Sequence, residues 1–600
     1  MYKKAKIRYY LVAIAISIGL LFTFTPAAFA ADVCSIGGSP FSSIKAAIDS
    51  VGSGGTATIT VLMDSEVDVT CAIDNKNITI ISGTGGPYTV KRAASLTANP
   101  VFSLSNGATL TLQNVVIDGG AVWSDTALTA AAAKTRTNSG VKADSPLIEM
   151  ISSSTLNLES GAVIENVDAN DSINNEAAVV KAQSSTINMK QGSVIQRCGT
   201  YIAGTSSNCS AGFNLYLCTF NMTGGTIQSC YLHTGTFYGG TIVYASNSAV
   251  SMSGNAVIRE NTQDSGIECA TLYIRSGSTF NMSGNAQIYN NESTIGTVMI
   301  SGGSTVEMSG SASIHDNDSE DGGGVKVYSG TLTMLDSASI LNNTATVDGG
   351  GINLMAGATA TVNLIGGSIS GNTAAGNGDA IFHEGTTLNL NAAVFAVSGN
   401  IYLNGDGTGT AIDDEVVTLV GAPTGNTYTL ETASPADDLL GRVVAVPGSV
   451  TVNSQLYSLG TAYPYAAFFS HTTKGVIGDG NNLILGTAYT IAIDPKITGG
   501  TVTSDRSVSG AGGIVTATAT PKSGYRLTSI IVSRNDTMAV IPNTNGVFTM
   551  PAANVTITAV FATVEMPETG DGFPFAAWLA ISLAMVVGIV SLAVVRRTKR

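Results

Sequence analysis

Two carboxylic acids occupy equivalent positions in neighbouring repeats near the middle of the chain. Glu292 and Asp318 each follow a repeated methionine by ten positions. If the repeats stack as β-strands about 4.8 Å apart, the two carboxylates come within the range used by a retaining glycosidase. The adjoining repeats carry Thr262 and Thr344 at this position. The alternative interpretation is therefore a pair of solvated turn acids.

An acidic run around the second of these residues raises the question of a calcium site. Asp316, Asp318 and Glu320 alternate with polar residues, as oxygen ligands of Ca²⁺ often do. The run lacks the glycine at the sixth place and the later glutamate of an EF-hand loop. The four histidines are dispersed along the chain. We therefore expect no bound metal and no cofactor, with calcium at these three residues as the alternative.

Seven cysteines are present, without a CxxC pair or a histidine at metal-binding spacing. Cys198 and Cys230 occupy the same position in adjacent repeats, which would bring their Cα atoms within disulfide range. Two stacked, buried thiols are the alternative, because the direction of the Cβ vectors cannot be read from a sequence. An odd total leaves at least one thiol unpaired or intermolecular.

The elements that must position these residues are repeats with a period of about 26 to 33 residues. Phrases such as SMSGNAVIREN from Ser251 and NMSGNAQIYNN from Asn281 define the period. Short alternating stretches rich in Val, Ile, Thr and Leu indicate strands, and units of this size must stack to bury their apolar faces. The predicted fold is all-β, a parallel β-helix. Its first interior column consists of Leu158, Met189, Met222, Met252, Met282, Met308, Met334, Leu364 and Leu390.

Two further columns follow from the same register. The second interior column contains Ile258, Ile288, Ile314 and Ile340. A turn column suits residues at positive φ whose side-chain amides can hydrogen-bond from coil to coil. This predicted turn column consists of Asn166, Cys198, Cys230, Asn261, Asn291, Asn317, Asn343 and Asn372.

The periodicity also predicts the domain organisation. Residues 31–404 form the β-helix, and an amphipathic helix within Phe41–Val51 covers its first coil. Between Leu112 and Leu158 the interval stretches, so Gly119–Pro146 must contain an inserted loop, which carries Trp123. Such insertions often bind ligands. The alternative is that Trp123 packs back on the coil. In residues 405–486 the period fades, which predicts irregular terminal coils or a closing β cap.

The two ends of the chain carry targeting signals. Basic residues, an apolar run and an A-x-A site predict a secretory signal peptide over residues 1–30, with cleavage between Ala30 and Ala31. Residues 565–600 contain Met-Pro-Glu-Thr-Gly, then an uncharged run over 573–595 and a basic tail. This order resembles the LPxTG cell-wall sorting signal of Gram-positive bacteria, with Met in place of Leu. The motif residues are Met566, Pro567, Glu568, Thr569 and Gly570.

The sorting-signal resemblance implies that a sortase cleaves after Thr569 and joins it covalently to peptidoglycan, so the protein would be secreted and anchored to a Gram-positive cell wall. The alternative for the apolar run is a plain transmembrane helix.

Residues 487–564 show a different pattern from the repeats. They contain IVTATATPKSGYRL from Ile514 and VFTMPAANVTITAVF from Val547. These segments resemble the small β modules related to internalin B repeats, although the tryptophan often found between the two segments is absent. The resemblance implies a spacer or interaction unit, and no catalysis.

The charge balance excludes one class of function. The net charge is −14, and both excised ends are basic, so the mature chain is more acidic still. Such a surface repels nucleic acid. The repeats resemble those of large β-helical surface proteins and adhesins of Gram-positive bacteria. This resemblance implies a right-handed coil and an unidentified extracellular glycan or protein ligand. The alternative is a wall-bound polysaccharide lyase or glycoside hydrolase, since right-handed β-helices include pectate lyases and polygalacturonases. A binding or display role is favoured, because no catalytic constellation stands out.

Overall fold

The computed structural model describes residues 32–564 apart from twelve short gaps. These gaps are residues 172–177, 203–209, 235–240, 264–268, 356–358, 385–386, 405–414, 433–442, 461–465, 467, 472–473 and 480–481. The described chain divides into two compact units. The larger extends to Ala488 and includes Val508–Gly513, and the smaller comprises Tyr489–Ser507 and the chain from Ile514.

The larger unit is a parallel β-solenoid, as the repeat period predicts. Each turn passes through three sheets in order, because short strands alternate with turns that redirect the chain. In sheet 1 the parallel strands are Thr56–Val61, Asn77–Ser82, Thr109–Gln113, Thr155–Leu158, Thr186–Met189, Thr219–Met222, Ala249–Met252, Thr279–Met282, Ser304–Met308, Gly330–Met334, Ala360–Leu364, Thr387–Asn391, Val417–Gly421 and Val443–Pro447.

The other two long sheets form the remaining faces of the solenoid. Sheet 2 has 12 strands: Ser65–Val67, Thr89–Arg92, Val115–Asp118, Ala162–Glu165, Val194–Gln196, Thr226–Gln228, Val257–Arg259, Gln287–Tyr289, Ser313–His315, Ser339–Leu341, Ser368–Ser370 and Ala396–Val397. Sheet 3 has 14 strands: Cys71–Asp74, Phe102–Ser105, Ile148–Met150, Val180–Gln183, Ser210–Tyr216, Thr241–Ser246, Ala270–Arg275, Val298–Ile300, Val325–Val327, Ile352–Leu354, Ile381–His383, Asn400–Leu403, Tyr428–Thr432 and Phe469–His471.

Short corner strands lie between sheets 2 and 3 in several turns. One group is Asp168–Asp171, Gly199–Ile202, Tyr231–Thr234 and Thr262–Gln263, and the other is Asp318–Ser319, Thr344–Ala345 and Thr373–Ala374. Both predicted interior columns are confirmed. The register pairs Leu158 with Met189 and continues turn by turn to Leu390, and Ile258 pairs with Ile288 and onward to Ile340. All of these side chains are buried.

The predicted turn column is confirmed as a hydrogen-bonded ladder from Asn261 to Asn372. Each side-chain amide donates to the next Oδ1 at 2.9–3.0 Å. The same Oδ1 also accepts the backbone N–H of the residue one turn earlier. The ladder therefore satisfies buried polar groups of the corner, where no backbone ladder reaches them.

Two details of this column were predicted wrongly. Positive φ belongs to the residue before each ladder asparagine, such as Glu260 at 54° and Asn290 at 53°. The prediction also placed Asn166 in the column, but Val167 is in register with Cys198. Asn166 occupies the positive-φ position instead, at 53°. Counting from the methionines was off by one residue here, because an asparagine suits either place.

Both ends of the solenoid are covered by this unit's own chain. The predicted amphipathic helix is α1, Ile44–Ser50, which begins at the N-cap Ser43 and buries Ile44, Ala47 and Ile48. The antiparallel strands Cys34–Ile36 and Ser39–Phe41 extend sheet 1 beside it. At the other end, parallel pairing continues beyond residue 404 in sheets 1 and 3, while the described residues add no further strand to sheet 2. It ends at the antiparallel strands Gly475–Asp479 and Asn482–Gly486.

A hairpin near this end lies against the outer side of the solenoid. Its strands are Ser449–Val452 and Gln455–Ser458. Val452 packs in a small cluster with Ile365 and Val420, and Asn453 Nδ2 donates to Glu307 Oε2 at 3.2 Å. The hairpin thus shields part of the outer face of sheet 1.

The smaller unit is a compact β module with its own core. Strand Val555–Thr563 pairs parallel with Tyr489–Ile493 and antiparallel with Tyr525–Arg534, which also pairs with Val540–Ile541. Ile514–Pro521 lies between Gly500–Ser504 and Val547–Thr549. The core residues are Ile491, Val515, Ala517, Val532, Phe548, Met550, Val555 and Ile557. The two quoted sequence segments thus supply the central strands and most of this core.

Candidate functional site: the cleft beside the inserted loop

The inserted loop folds back on the solenoid and follows the positive-φ residues of successive corners. Ala121 N donates to Asn166 O at 2.9 Å, and Arg197 donates to Asp125 O at 2.7 Å. The loop thereby contacts two neighbouring turns before its helix begins. The prediction that the loop contains the main departure from the repeat is confirmed, and so is the alternative that Trp123 packs back on the coil.

The second half of the loop extends these contacts to further turns. It contains helix α2, Ala130–Thr135. Arg136 donates to Ser229 O at 3.0 Å and to Ser229 Oγ at 2.8 Å. Ala130 N donates to Glu260 Oε2 at 3.1 Å, and Lys134 forms an ion pair with Glu292. Five successive corners therefore hold one loop of fewer than 30 residues.

Between the loop and the corner strands lies a cleft of about 400 Å³. Trp123 and Tyr231 provide its aromatic surface, and Gly199 allows the close approach of the indole, since a Cβ there would lie 3.0 Å from Trp123 Cη2. The complete lining is Trp123, Lys134, Thr135, Arg136, Thr137, Asn138, Lys142, Asp168, Gly199, Thr200 and Tyr231. The volume and the mixture of aromatic and polar groups are typical of a small-molecule site.

The cleft is held in shape by a buried arginine. The Arg136 side chain is 0% exposed, its Nε donates to Asp125 Oδ2 at 3.0 Å, and its guanidinium lies 5.5 Å from the centre of the Trp123 ring. On the far side, Asn138 Nδ2 donates to Asp168 Oδ2 at 2.7 Å. The contacts of Arg136 join the two limbs of the loop to each other, and the bond from Asn138 to Asp168 attaches the loop to the solenoid.

The predicted carboxylate pair does lie in adjacent turns. Glu292 and Asp318 form a parallel β-bridge, which places them side by side at the corner. Although the Asp318 residue is exposed, partial desolvation of its carboxyl group raises the pKa and the Glu292 carboxylate adds to this, against opposing effects of Thr344 and Lys134. Glu292 Oε2 already accepts from Thr262 Oγ1 at 3.0 Å and pairs with Lys134. Glu292 thus forms a contact between the solenoid and the inserted loop, and its position in the sequence did not indicate this role.

The acidic run does not come together as a metal site. Asp316, Asp318 and Glu320 are all exposed, and Asp316 Oδ2 lies 2.7 Å from His315 Nδ1. Within the described ranges, no group of three His, Cys, Asp or Glu side chains is arranged to hold a metal ion.

Cys198 and Cys230 are both buried, as thiols, in neighbouring turns. Burial raises the pKa of the Cys198 thiol. Their Sγ atoms lie 3.2 Å from Gln196 O and 3.6 Å from Gln228 O, respectively. The stacked-thiol alternative matches this arrangement, and the disulfide stays a prediction for oxidising conditions.

Both predicted targeting signals fall outside the described residues. These include Ala30 and Ala31 and the motif Met566–Gly570 with its apolar run. Among the residues that are described, none belongs to a helix long and apolar enough to cross a membrane.

Sequence reasoning missed the residues that attach the loop: Asp125, Arg136, Arg197, Ser229 and Glu260. Three of them occupy the positive-φ position of their corner, where glycine and asparagine would be expected. Arginine, serine and glutamate at that position were the available signal, since each must be held there by a contact.

Comparison with known proteins gives one match. No curated protein and no solved structure matches the chain significantly. Over residues 489–565, the chain matches the model of the divergent InlB B-repeat domain, and this segment is therefore similar to that family.

Proposed function

We propose that the chain is a secreted surface protein whose β-solenoid presents a binding site for an extracellular glycan or protein. The amino-terminal signal would export it, and a sortase would join Thr569 to peptidoglycan. The repeat-like module at 489–565 supports this proposal, because such domains often occur in surface proteins.

The observation that carries the binding role is the cleft beside the inserted loop. The interior methionines and isoleucines and the amide ladder are buried, so these columns of the repeats cannot contact a ligand. The loop is the one long interruption among the described turns before residue 404, and it builds a lined cavity. Rigid scaffolds commonly place binding residues on such loops.

Binding and cleavage can be separated in one experiment. The purified chain is incubated with a panel of plant and mucin glycans and with extracellular-matrix proteins. Retention and the appearance of new reducing or unsaturated ends are both measured. We expect retention without cleavage. Absence of retention on every surface would contradict the binding role and leave only a passive spacer.

Anchoring has its own test. Thr569→Ala should release the protein into the medium or leave it in the membrane fraction, whereas Thr563→Ala serves as the matched control. Wall linkage that persists in Thr569→Ala would contradict the sortase proposal.

Polysaccharide hydrolysis is the second candidate, and one observation favours it. Asp318 has a raised pKa beside a second carboxylate, and a general acid needs this property. If product ends appear in the glycan assay and both Asp318→Asn and Glu292→Gln abolish them, the hydrolase proposal replaces the binding proposal. Asp316→Asn is the control, since this acid is exposed and lies in the same turn.

A further inference from the structure

The cleft is rich in cations although the chain as a whole is acidic. Its lining contains Lys134, Arg136 and Lys142 against a single carboxylate, Asp168, while the net charge is −14. A local cluster of opposite sign to the rest of a protein attracts ligands of the charge that the remaining surface repels.

The three cations differ in what already neutralises them. Lys134 is paired with Glu292, and Arg136 is buried against Asp125 and Ser229. Lys142 is exposed, and no acceptor among the described residues pairs with its side chain. Its charge is the one available to a ligand.

The same cleft has an aromatic surface formed by Trp123 and Tyr231. The faces of sugar rings commonly pack against aromatic side chains, which combine a large apolar surface with a defined geometry. The exposed residues Thr135 and Thr137 add hydroxyl groups to the lining.

We propose that this cleft binds the acidic sugar at the end of a glycan chain. Lys142 pairs with the sugar carboxylate, and Trp123 and Tyr231 supply the aromatic surface against which the sugar ring packs. The volume of about 400 Å³ suits one or two sugar residues rather than a long polymer. This inference rests on the proposed binding function and names the ligand class of that site.

The test uses matched ligands. Oligosaccharides that end in glucuronic acid or N-acetylneuraminic acid are each compared with their methyl esters, which keep the shape and remove the charge. Because Trp123 is one of only two tryptophans, its fluorescence reports binding once Trp578→Phe has removed the other signal. We expect the acids to bind and change this fluorescence, and the esters to bind at least about tenfold more weakly, since a charge-assisted pair contributes about 1.5 kcal/mol or more.

Variants distinguish this inference from the broader proposal. Lys142→Gln should weaken acid binding by about tenfold and leave ester binding unchanged, whereas Lys522→Gln, an exposed lysine of the smaller unit, should change neither. Acid binding should also weaken as salt is raised.

Equal binding of acid and ester, or an unaffected Lys142→Gln variant, would overturn the acidic-sugar inference and leave the binding function intact. Failure of the whole panel overturns the inference as well, and the proposed function then fails only if the matrix proteins are also not retained.

Discussion

The corner between sheets 2 and 3 is stabilised differently in the early and in the late turns of the solenoid. From Asn261 to Asn372, stacked amides bind the corner to itself. At Val167, Cys198 and Cys230 the column has no amide, and the inserted loop contacts the corners from outside. The two arrangements overlap at the corners of Asn261 and Asn291, which the loop also reaches through Glu260 and Glu292. The cleft lies beside the corners that lack the ladder, since Asp168, Gly199 and Tyr231 line it.

Breaking the ladder should have the largest effect. Asn317 donates to Asn343 Oδ1 and Ile288 O and accepts two hydrogen bonds from Asn291. Asn317→Ala leaves buried donors and acceptors unpaired, so we expect a loss of about 3 kcal/mol in the free energy of unfolding. Urea unfolding and hydrogen exchange of the Asn291 amide measure it. Asn281→Ala, an exposed asparagine one turn earlier, should cost little, and equal losses would contradict the ladder's role.

A buried histidine near the last turns of the solenoid should make the stability of this region depend on pH. His383 Nε2 donates to Val416 O at 3.2 Å, and its Nδ1 has no partner among the described residues. Burial lowers its pKa from 6.5 to about 4. As pH falls from 6.5 towards 4, His383 becomes protonated in the unfolded chain but stays neutral in the folded chain. The free energy of unfolding should therefore fall by up to about 3 kcal/mol.

Unfolding measured between pH 7 and pH 4 should show this loss, and His383→Gln should remove most of it. A pH dependence identical in the variant would place the titration elsewhere.

The loop contacts can be broken without touching the ladder. Arg136→Met removes the donors to Asp125 and Ser229 and should cost about 2 kcal/mol, expressed mainly as local opening of the loop. Protease cleavage within residues 119–146 and a red shift of Trp123 fluorescence report it. Lys142→Met is the control on the same loop, and a solenoid that unfolds with the loop would show that the two regions are not separable.

The smallest change in stability is expected when an amide is introduced into a corner that lacks the ladder. Cys230 N already donates to Asn261 Oδ1 at 2.9 Å, so Cys230 stands one step beyond the end of the ladder. Cys230→Asn should extend the ladder and change stability by less than about 1 kcal/mol. Thermal unfolding checks it. A loss of more than about 2 kcal/mol would mean that the corner of Cys230, where Arg136 contacts Ser229, cannot accept an amide.

These regions also differ in how far the sequence predicted them. The interior columns followed from periodicity alone, because a residue that recurs at each turn must meet its own copy. The predicted position of Asn166 was wrong by one residue, because an asparagine suits both the turn column and the positive-φ position before it. The contacts of Arg136 and Glu292 could not be predicted, since each joins a residue of the inserted loop, which belongs to no repeat, to a residue far away in sequence.

The five-corner attachment of the loop has a mechanical consequence. In a parallel solenoid the backbone hydrogen bonds between turns point along the axis, so a pull on one turn can peel it from the next. A force on a ligand held in the cleft would instead be transmitted by the loop to several turns at once. The residues that receive it are Asn166, Arg197, Ser229, Glu260 and Glu292. The force on any single interface between turns is thereby reduced, because five turns share it.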